Sequence, residues 1–277
     1  MTTPIRILTL VPEAVSARGC LDVALAAALV VDADIEVFHV KVDPDKLRNG
    51  DEEAAIQHMR ASREGTAEER AQAVRAIFEG WRTALSPQLV ERVTWREAVG
   101  SEERNVAEET RHFDLIVLPR AHNLDGGDAH HAAFRRSHRP LLYVPDRAGP
   151  IGPGAFGRHM AIAWKPTSQA QRAVEGAAAW LRHAEQVTAI MVAADLQHAG
   201  WEELERLAHQ LGIDVSPSLI RPSDRPLNEQ LLTAIHELAA DAAVLGAYQH
   251  ADLIEWVLPS TTRFILAHAD LPLFLAH

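Results

Sequence analysis

Fifteen histidines, a single cysteine and many carboxylates offer this chain several kinds of chemistry. Their spacing removes most of them. His122, His130, His131 and His138 cluster with Asp125 and Asp128. Imidazoles and carboxylates ligate zinc and other transition metals. These spacings match no standard pattern, so the segment reads as a solvated polar loop and no metal is assigned. His236-Glu237 is followed by Leu238-Ala239-Ala240, which breaks a His-Glu-x-x-His helix. No Gly-Lys pair occurs, excluding a Walker A phosphate loop. No Gly-x-Ser-x-Gly is present to form the nucleophile elbow of an α/β-hydrolase. Gly152-Pro153-Gly154-Ala155-Phe156-Gly157 spells GxGxxG, but it leads into the apolar run Met160–Trp164 instead of following a strand and opening a helix. Its amides therefore have no helix start at which to meet a pyrophosphate, and it reads as a linker. Cys20 sits in an apolar-rich helical stretch and is expected to be a small buried hydrophobe. No two residues read as nucleophile and base, so no catalytic residue is named and the chain is expected not to be an enzyme.

The elements that carry these residues alternate. Ile5–Val11, Ile35–Val40, Val90–Arg96, Leu115–Leu118 and Leu141–Val144 read as strands, and so do Met160–Trp164, Val187–Val192, Val215–Ile220, Ala242–Leu245 and Leu271–Leu275. Most are short continuous apolar runs, as expected for strands covered on both faces. Helical stretches lie between them: Ser16–Val31, Ser101–His112, Ser168–His183 and Leu227–Ala239. Ser101 is a suitable N-cap, with Glu102 and Glu103 in the first turn. In the polar stretch from Asp43 to Ser86, Val74, Ile77, Phe78 and Trp81 recur at helical spacing and should face the sheet. Strand–helix alternation implies right-handed crossovers and a parallel sheet.

The order also repeats. Asp114-Leu115-Ile116-Val117-Leu118 lines up with Asp241-Ala242-Ala243-Val244-Leu245, each an aspartate opening an apolar run. Ile7-Leu8-Thr9-Leu10-Val11-Pro12 echoes Ala161-Ile162-Ala163-Trp164-Lys165-Pro166, and Arg139-Pro140-Leu141-Leu142 echoes Leu271-Pro272-Leu273-Phe274. The expected architecture is α/β, with two tandem doubly wound domains, each a five-stranded parallel sheet flanked by helices. The domains are 1–147 and 158–277, joined by a Gly- and Pro-rich linker at 148–157. Ligands of open α/β sheets bind at the carboxyl ends of the strands, which singles out Tyr248 and His250 in the turn after Leu245.

Composition sets outer limits. With 47% hydrophobic and 23% charged residues over 277 positions, the chain can build sizeable cores. The net charge is −11 and neither half is basic, which disfavours a nucleic-acid surface. No run of 18 uncharged apolar residues suggests a membrane span. The opening Met-Thr-Thr-Pro-Ile-Arg-Ile-Leu lacks the basic region and apolar run of a secretory signal, and one cysteine permits no internal disulfide. A cytoplasmic location is expected.

The second half carries motifs that resemble a known family. Gly246-Ala247-Tyr248-Gln249-His250, Glu255-Trp256, Ser260-Thr261-Thr262-Arg263 and Leu271-Pro272-Leu273-Phe274-Leu275 are similar to the successive signatures of universal stress protein domains. Ala163-Trp164-Lys165-Pro166-Thr167-Ser168 resembles the first strand and helix of tandem members. The resemblance covers most of the second half. In the first half it rests on the order of elements. It implies an adenine-nucleotide-α-hydrolase-like fold and a non-enzymatic stress-response role. It also implies that the domains pair through their last strands, Leu141–Val144 and Leu271–Leu275, with homodimers also seen in the family.

The resemblance bears on ligands too. Nucleotide-binding members place Gly, two residues, Gly, nine residues, Gly and then Ser or Thr around the phosphates. Here Gly246 keeps the first position, Gln249 and Pro259 replace the other two glycines, and Ser260 and Thr261 supply hydroxyls. Pro259 has no amide to donate. The family's acidic residue after the first strand is replaced near Lys165, a cation able to attract phosphate or another anion. The residues implied for a ligand are thus Lys165, Gly246, His250, Ser260 and Thr261. The ligand stays open between none, an unidentified small molecule and ATP. In the first half Pro119 stands at the place of Gly246, and no nucleotide is expected there.

Overall fold

The computed structural model describes residues 4–47, 52–120, 128–146, 154–246 and 260–276. The chain divides into two compact units, Met1–Ala28 with Asp32–Arg139, and Leu29–Val31 with Pro140–His277.

The first unit holds β1 (Arg6–Leu10), β2 (Asp34–Lys41), β3 (Val93–Val99) and β4 (Leu115–Pro119) in the order β3-β2-β1-β4, with every pairing parallel. Ile7, Leu8, Leu115, Ile116, Val117 and Leu118 are all fully buried, as strands covered on both faces require. α1 (Ala14–Val31) buries Ala17, Cys20, Leu21, Ala24, Ala27 and Ala28 along one helical stripe. Its mean hydropathy of 1.8 makes it long and apolar enough to cross a membrane. In this fold it is a core helix, with the Cys20 thiol donating to the Leu10 carbonyl of β1. α2 (Glu52–Glu64) and α3 (Ala67–Arg82) follow β2. Thr66 starts α3 with a reciprocal capping box to Glu69. Val74, Phe78 and Trp81 are buried as the spacing predicts, Ile77 is half-buried, and Phe78 lies 5.0 Å from Trp95 of β3.

Two readings of this half need correction. Val90 was expected in a strand but lies in α4 (Pro87–Glu91), because Ser86-Pro87 starts a helical turn and delays the strand to Val93. The histidine-rich segment was expected to be a loop, yet residues 128–136 form α6, after α5 (Glu102–Glu109). Ala129, Ala132 and Ala133 give α6 a buried face, which small residues hide from a reading based on polarity. Ser101 caps α5, accepting from the Arg104 amide at 3.3 Å.

The second unit holds β5 (Leu141–Val144), β6 (His159–Ala163), β7 (Gln186–Val192), β8 (Ser216–Ile220), β9 (Ala242–Gly246) and β10 (Leu273–Ala276). Their order is β5-β10-β9-β6-β7-β8. Four pairings are parallel. β5 runs antiparallel to β10, with Tyr143 opposite Leu273 and Leu141 opposite Leu275. Each half of the chain does supply five strands, but a clean split into two five-stranded parallel sheets is not seen: β5, from the first half, joins the second unit and runs antiparallel to β10, making its sheet mixed. An apolar strand such as Leu141-Leu142-Tyr143-Val144 cannot be left as a bare edge, and here it pairs with β10. α7 (Ser168–Leu181), α8 (Trp201–Leu211), α9 (Leu227–Glu237) and α10 (Ser260–His268) flank this sheet. Trp180 of α7 packs 5.1 Å from Phe274 of β10.

The two aspartates aligned by the repeat do the same work. The Asp114 carboxylate accepts the Arg6 amide at 2.9 Å, and the Asp114 amide donates to the Arg6 carbonyl. The Asp241 carboxylate accepts from Gly157, Arg158 and His159 amides at 2.7–3.0 Å, and its amide donates to the His159 carbonyl. Each clamps the start of the central strand to its neighbour. Gly157, at φ +72°, opens directly onto β6.

Candidate functional site

In the second unit, β6 and β9 are neighbours, with Ala163 opposite Leu245. Lys165 and Gly246 therefore stand at adjacent strand ends, on the carboxyl edge of the sheet. Beyond β6 the Trp164 amide donates to the Ile190 carbonyl at 2.9 Å. The Trp164 ring is buried, with its indole N–H on the Gly200 carbonyl at 3.1 Å. Trp164 is thus a packing residue. Pro166 lies over Gly200, where a Cβ would come within 2.8 Å of the proline Cβ. The Thr167 hydroxyl caps α7, accepting the Ala170 amide. Lys165 is left exposed at the turn between Trp164 and α7.

Gly246 has a steric reason to be glycine. A Cβ there would lie 2.6 Å from the Ala170 nitrogen and 2.8 Å from its Cα. The first turn of α7 rests directly on the end of β9, backbone against backbone. Gln169 in that turn is 8% exposed, and its side-chain amide nitrogen has no hydrogen-bond partner among the described residues. The crossover from β9 through α10 to the parallel β10 starts α10 on the same edge, which places Ser260 and Thr261 there. Thr261 is half-buried and Thr262 buried. His250 lies outside the described residues, as do Tyr248, Gln249, Trp256 and Pro259. The structure thus brings Lys165, Gly246, Ser260 and Thr261 to one edge. Gln169 and the Thr167 cap were missed; the Thr-Ser pair before an apolar helical stripe was the available signal for the cap.

The same edge of the first unit is built differently. The Val11 amide extends β1 onto the Phe38 carbonyl. His39, 4% exposed, donates from Nδ1 to the Val11 carbonyl at 2.8 Å. Arg60 of α2, 7% exposed, donates to the Pro12 carbonyl and pairs with Glu64 at 3.1 Å. Arg70 of α3 donates to the Gly65 carbonyl at 2.7 Å, the Val42 carbonyl at 3.3 Å and the Gln57 side-chain oxygen at 3.0 Å. Gln57 is fully buried. Burial lowers the His39 pKa below its ordinary value, with Arg60 and Arg70 adding to the effect against the Val11 carbonyl and Glu97. None of these residues was singled out from the sequence, because arginines and glutamine in a polar stretch read as surface.

Other candidates take their places in the fold. Cys20 is fully buried, and desolvation holds its thiol far above the usual range, so it is protonated and inert. His130 is buried in α6 against the Pro119 carbonyl, and His131 faces Glu103 at 3.6 Å. His122 and Asp125 lie outside the described residues. Among the described residues no group of three or more His, Cys, Asp or Glu side chains is gathered to hold a metal.

No protein-family model matches the chain. No curated protein matches it either. Its fold does match solved structures. A universal stress protein from Archaeoglobus fulgidus DSM 4304 superposes with a TM-score of 0.63 at 15% identity, over 98% of this chain and 97% of that one. A functionally unknown protein from Pseudomonas aeruginosa PAO1 gives 0.53 at 13% identity, over 99% and 92%. A Pseudomonas aeruginosa UCBPP-PA14 protein provisionally described as a universal stress protein gives 0.53 at 13% identity, over 99% and 93%. At these identities the likeness establishes a shared fold.

Proposed function

We propose that this chain, which shares the fold of universal stress proteins, is a cytoplasmic, non-enzymatic stress-response module with a small-ligand site on the carboxyl edge of β6 and β9. In this reading it is a tandem of two such domains, 1–147 and 158–277, joined by 148–157. The antiparallel pairing of β5 with β10 supports docking of the first half's last strand on the second's. A homodimer built from such chains belongs to the same proposal.

The observation that carries the ligand site is the placement of the exposed Lys165 beside Gly246, on the edge where α10 begins. Open α/β sheets take ligands at that edge, where helix N-termini and free cations favour anions. His250 belongs to the proposed set through its sequence position four residues after Gly246. A regulatory or protective role without bond-breaking fits a site whose named groups are a lysine, a glycine and hydroxyls.

A second reading is an ATP-binding switch with weak ATPase activity. It is favoured by Lys165 and by Ser260 and Thr261 opening α10. Against it, the contact with Ala170 already accounts for Gly246 without a phosphate. Calorimetric titration of nucleotide-stripped protein with magnesium ATP, with phosphate release followed in parallel, separates the readings. The switch requires one micromolar site per chain and slow phosphate release, both lost in Lys165→Glu while Tm stays unchanged. The module requires no phosphate release above the blank, and sustained turnover would overturn it.

A further inference from the structure

α2 follows the Pro44–Lys46 turn after β2 and reaches the strand ends of the first unit through polar side chains. Among its described side chains only Ala54, Gln57 and Arg60 are buried, while Met59 is 49% exposed. Arg60 reaches the Pro12 carbonyl just beyond β1, and Gln57 accepts from Arg70 of α3. α3 is anchored otherwise: it has its own capping box, buries Val74, Phe78 and Trp81, and donates from the Trp81 indole to Asp22 at 2.9 Å. β2 is paired on both sides. Of the apolar side chains of α2, Ala54 is buried and Ile56 half-buried, so little apolar surface is exposed when it leaves. Segments with few buried apolar contacts are the ones that open locally.

His39 is the buried titratable group in the assembly. Its neutral ring already spends Nδ1–H on Val11 and is stacked against Trp95 of β3, 6.3 Å between centroids. The charged groups acting on it are Arg60 from α2, Arg70 from α3 and Glu97 from β3. Glu97 is itself 3.7 Å from Lys41, which also binds Glu68 of α3 at 2.8 Å. An imidazolium here would sit in a desolvated site with two arginines and one shared carboxylate.

We propose that α2 is an acid-released cover: neutral His39 holds it shut over the strand ends of the first unit, and protonation of His39 opens it, exposing Arg70 and the Pro12 and Val42 carbonyls. Release of α2 removes Arg60 and lets water reach the imidazolium. The closed form binds the proton less readily than the open one. Its advantage is therefore full above the ordinary histidine value of about 6.5 and shrinks as pH falls through that value toward the lower closed-state value.

Hydrogen exchange on the full chain, followed by mass spectrometry between about pH 8 and pH 5 and corrected for intrinsic rates, tests this. Peptides of α2 should lose protection roughly tenfold across that range, while α7 peptides keep theirs. His39→Asn, which keeps a donor for Val11 but cannot gain charge, should abolish the dependence. Glu97→Gln, at an exposed strand position, removes the carboxylate that favours the imidazolium in the closed form, so the closed-state value falls further and the loss of α2 protection at pH 5 should deepen. Protection of α2 that ignores pH overturns the proposal. So does loss of protection in α2 and α7 together, or a loss in Glu97→Gln no deeper at pH 5 than in the unaltered chain.

Discussion

The carboxyl strand ends of the two units are finished in two ways. In the first unit the chain closes its own edge with side chains: Arg60 and Arg70 spend their guanidinium donors on carbonyls at the ends of β1 and β2, and His39 is buried beneath them. In the second unit the closure is made by backbone, with α7 resting on Gly246, and the cation Lys165 is left in solvent. Buried cations satisfied by the protein's own carbonyls have little left to offer a ligand. A solvated lysine beside a helix start keeps its charge available. The difference teaches that one strand order can be finished by side chains in one unit and by backbone contact in the other.

Substitutions can break this contrast one side at a time. The largest effect is expected from Arg70→Met. It removes the donor from three buried or half-buried acceptors, Gly65, Val42 and Gln57, and should cost about 3 kcal/mol in urea unfolding. A loss under about 1 kcal/mol would mean that water replaces the guanidinium and that the first edge is open after all. Gly246→Ala should cost about 2 kcal/mol, because its methyl meets helix backbone that cannot rotate away. An unchanged midpoint would return Gly246 to the list of residues kept for a ligand. The smallest effect belongs to Thr66→Ala, which deletes one half of the capping box between α2 and α3 and should cost about 1 kcal/mol. Exchange of the α3 amides should rise in that variant while the α7 amides, capped by Thr167, stay protected.

Much of the architecture was legible in the residues. The strand runs, the helical stripe through Val74, Phe78 and Trp81, the Ser101 cap and the burial of Cys20 follow from periodicity and capping chemistry. The paired aspartates were legible as a repeat, though their clamp on the amides of the neighbouring strand was not. Errors arose where local signals compete. Ser86-Pro87 turned a stretch rich in apolar residues into a helix, and alanines gave the histidine segment an inward face that its composition conceals. Of the residues expected to meet a ligand, Lys165, Gly246, Ser260 and Thr261 share an edge because strand order and crossovers require it. The reason for Gly246 was not legible, since a glycine kept for close backbone approach and one kept for phosphate look alike in a string of letters.

By itself the sequence determined the alternation of strands and helices, the internal repeat and the absence of a phosphate-loop or hydrolase-elbow motif, because these depend on residues near one another in the chain. Only the tertiary structure decided that β5 runs antiparallel to β10, that Arg60 of α2 and Arg70 of α3 are buried, and that Lys165 stays in water. Those outcomes depend on which distant backbone carbonyls and strand edges meet. Desolvation and hydrogen bonding act on groups brought together in space, so their effect appears only once the chain has folded.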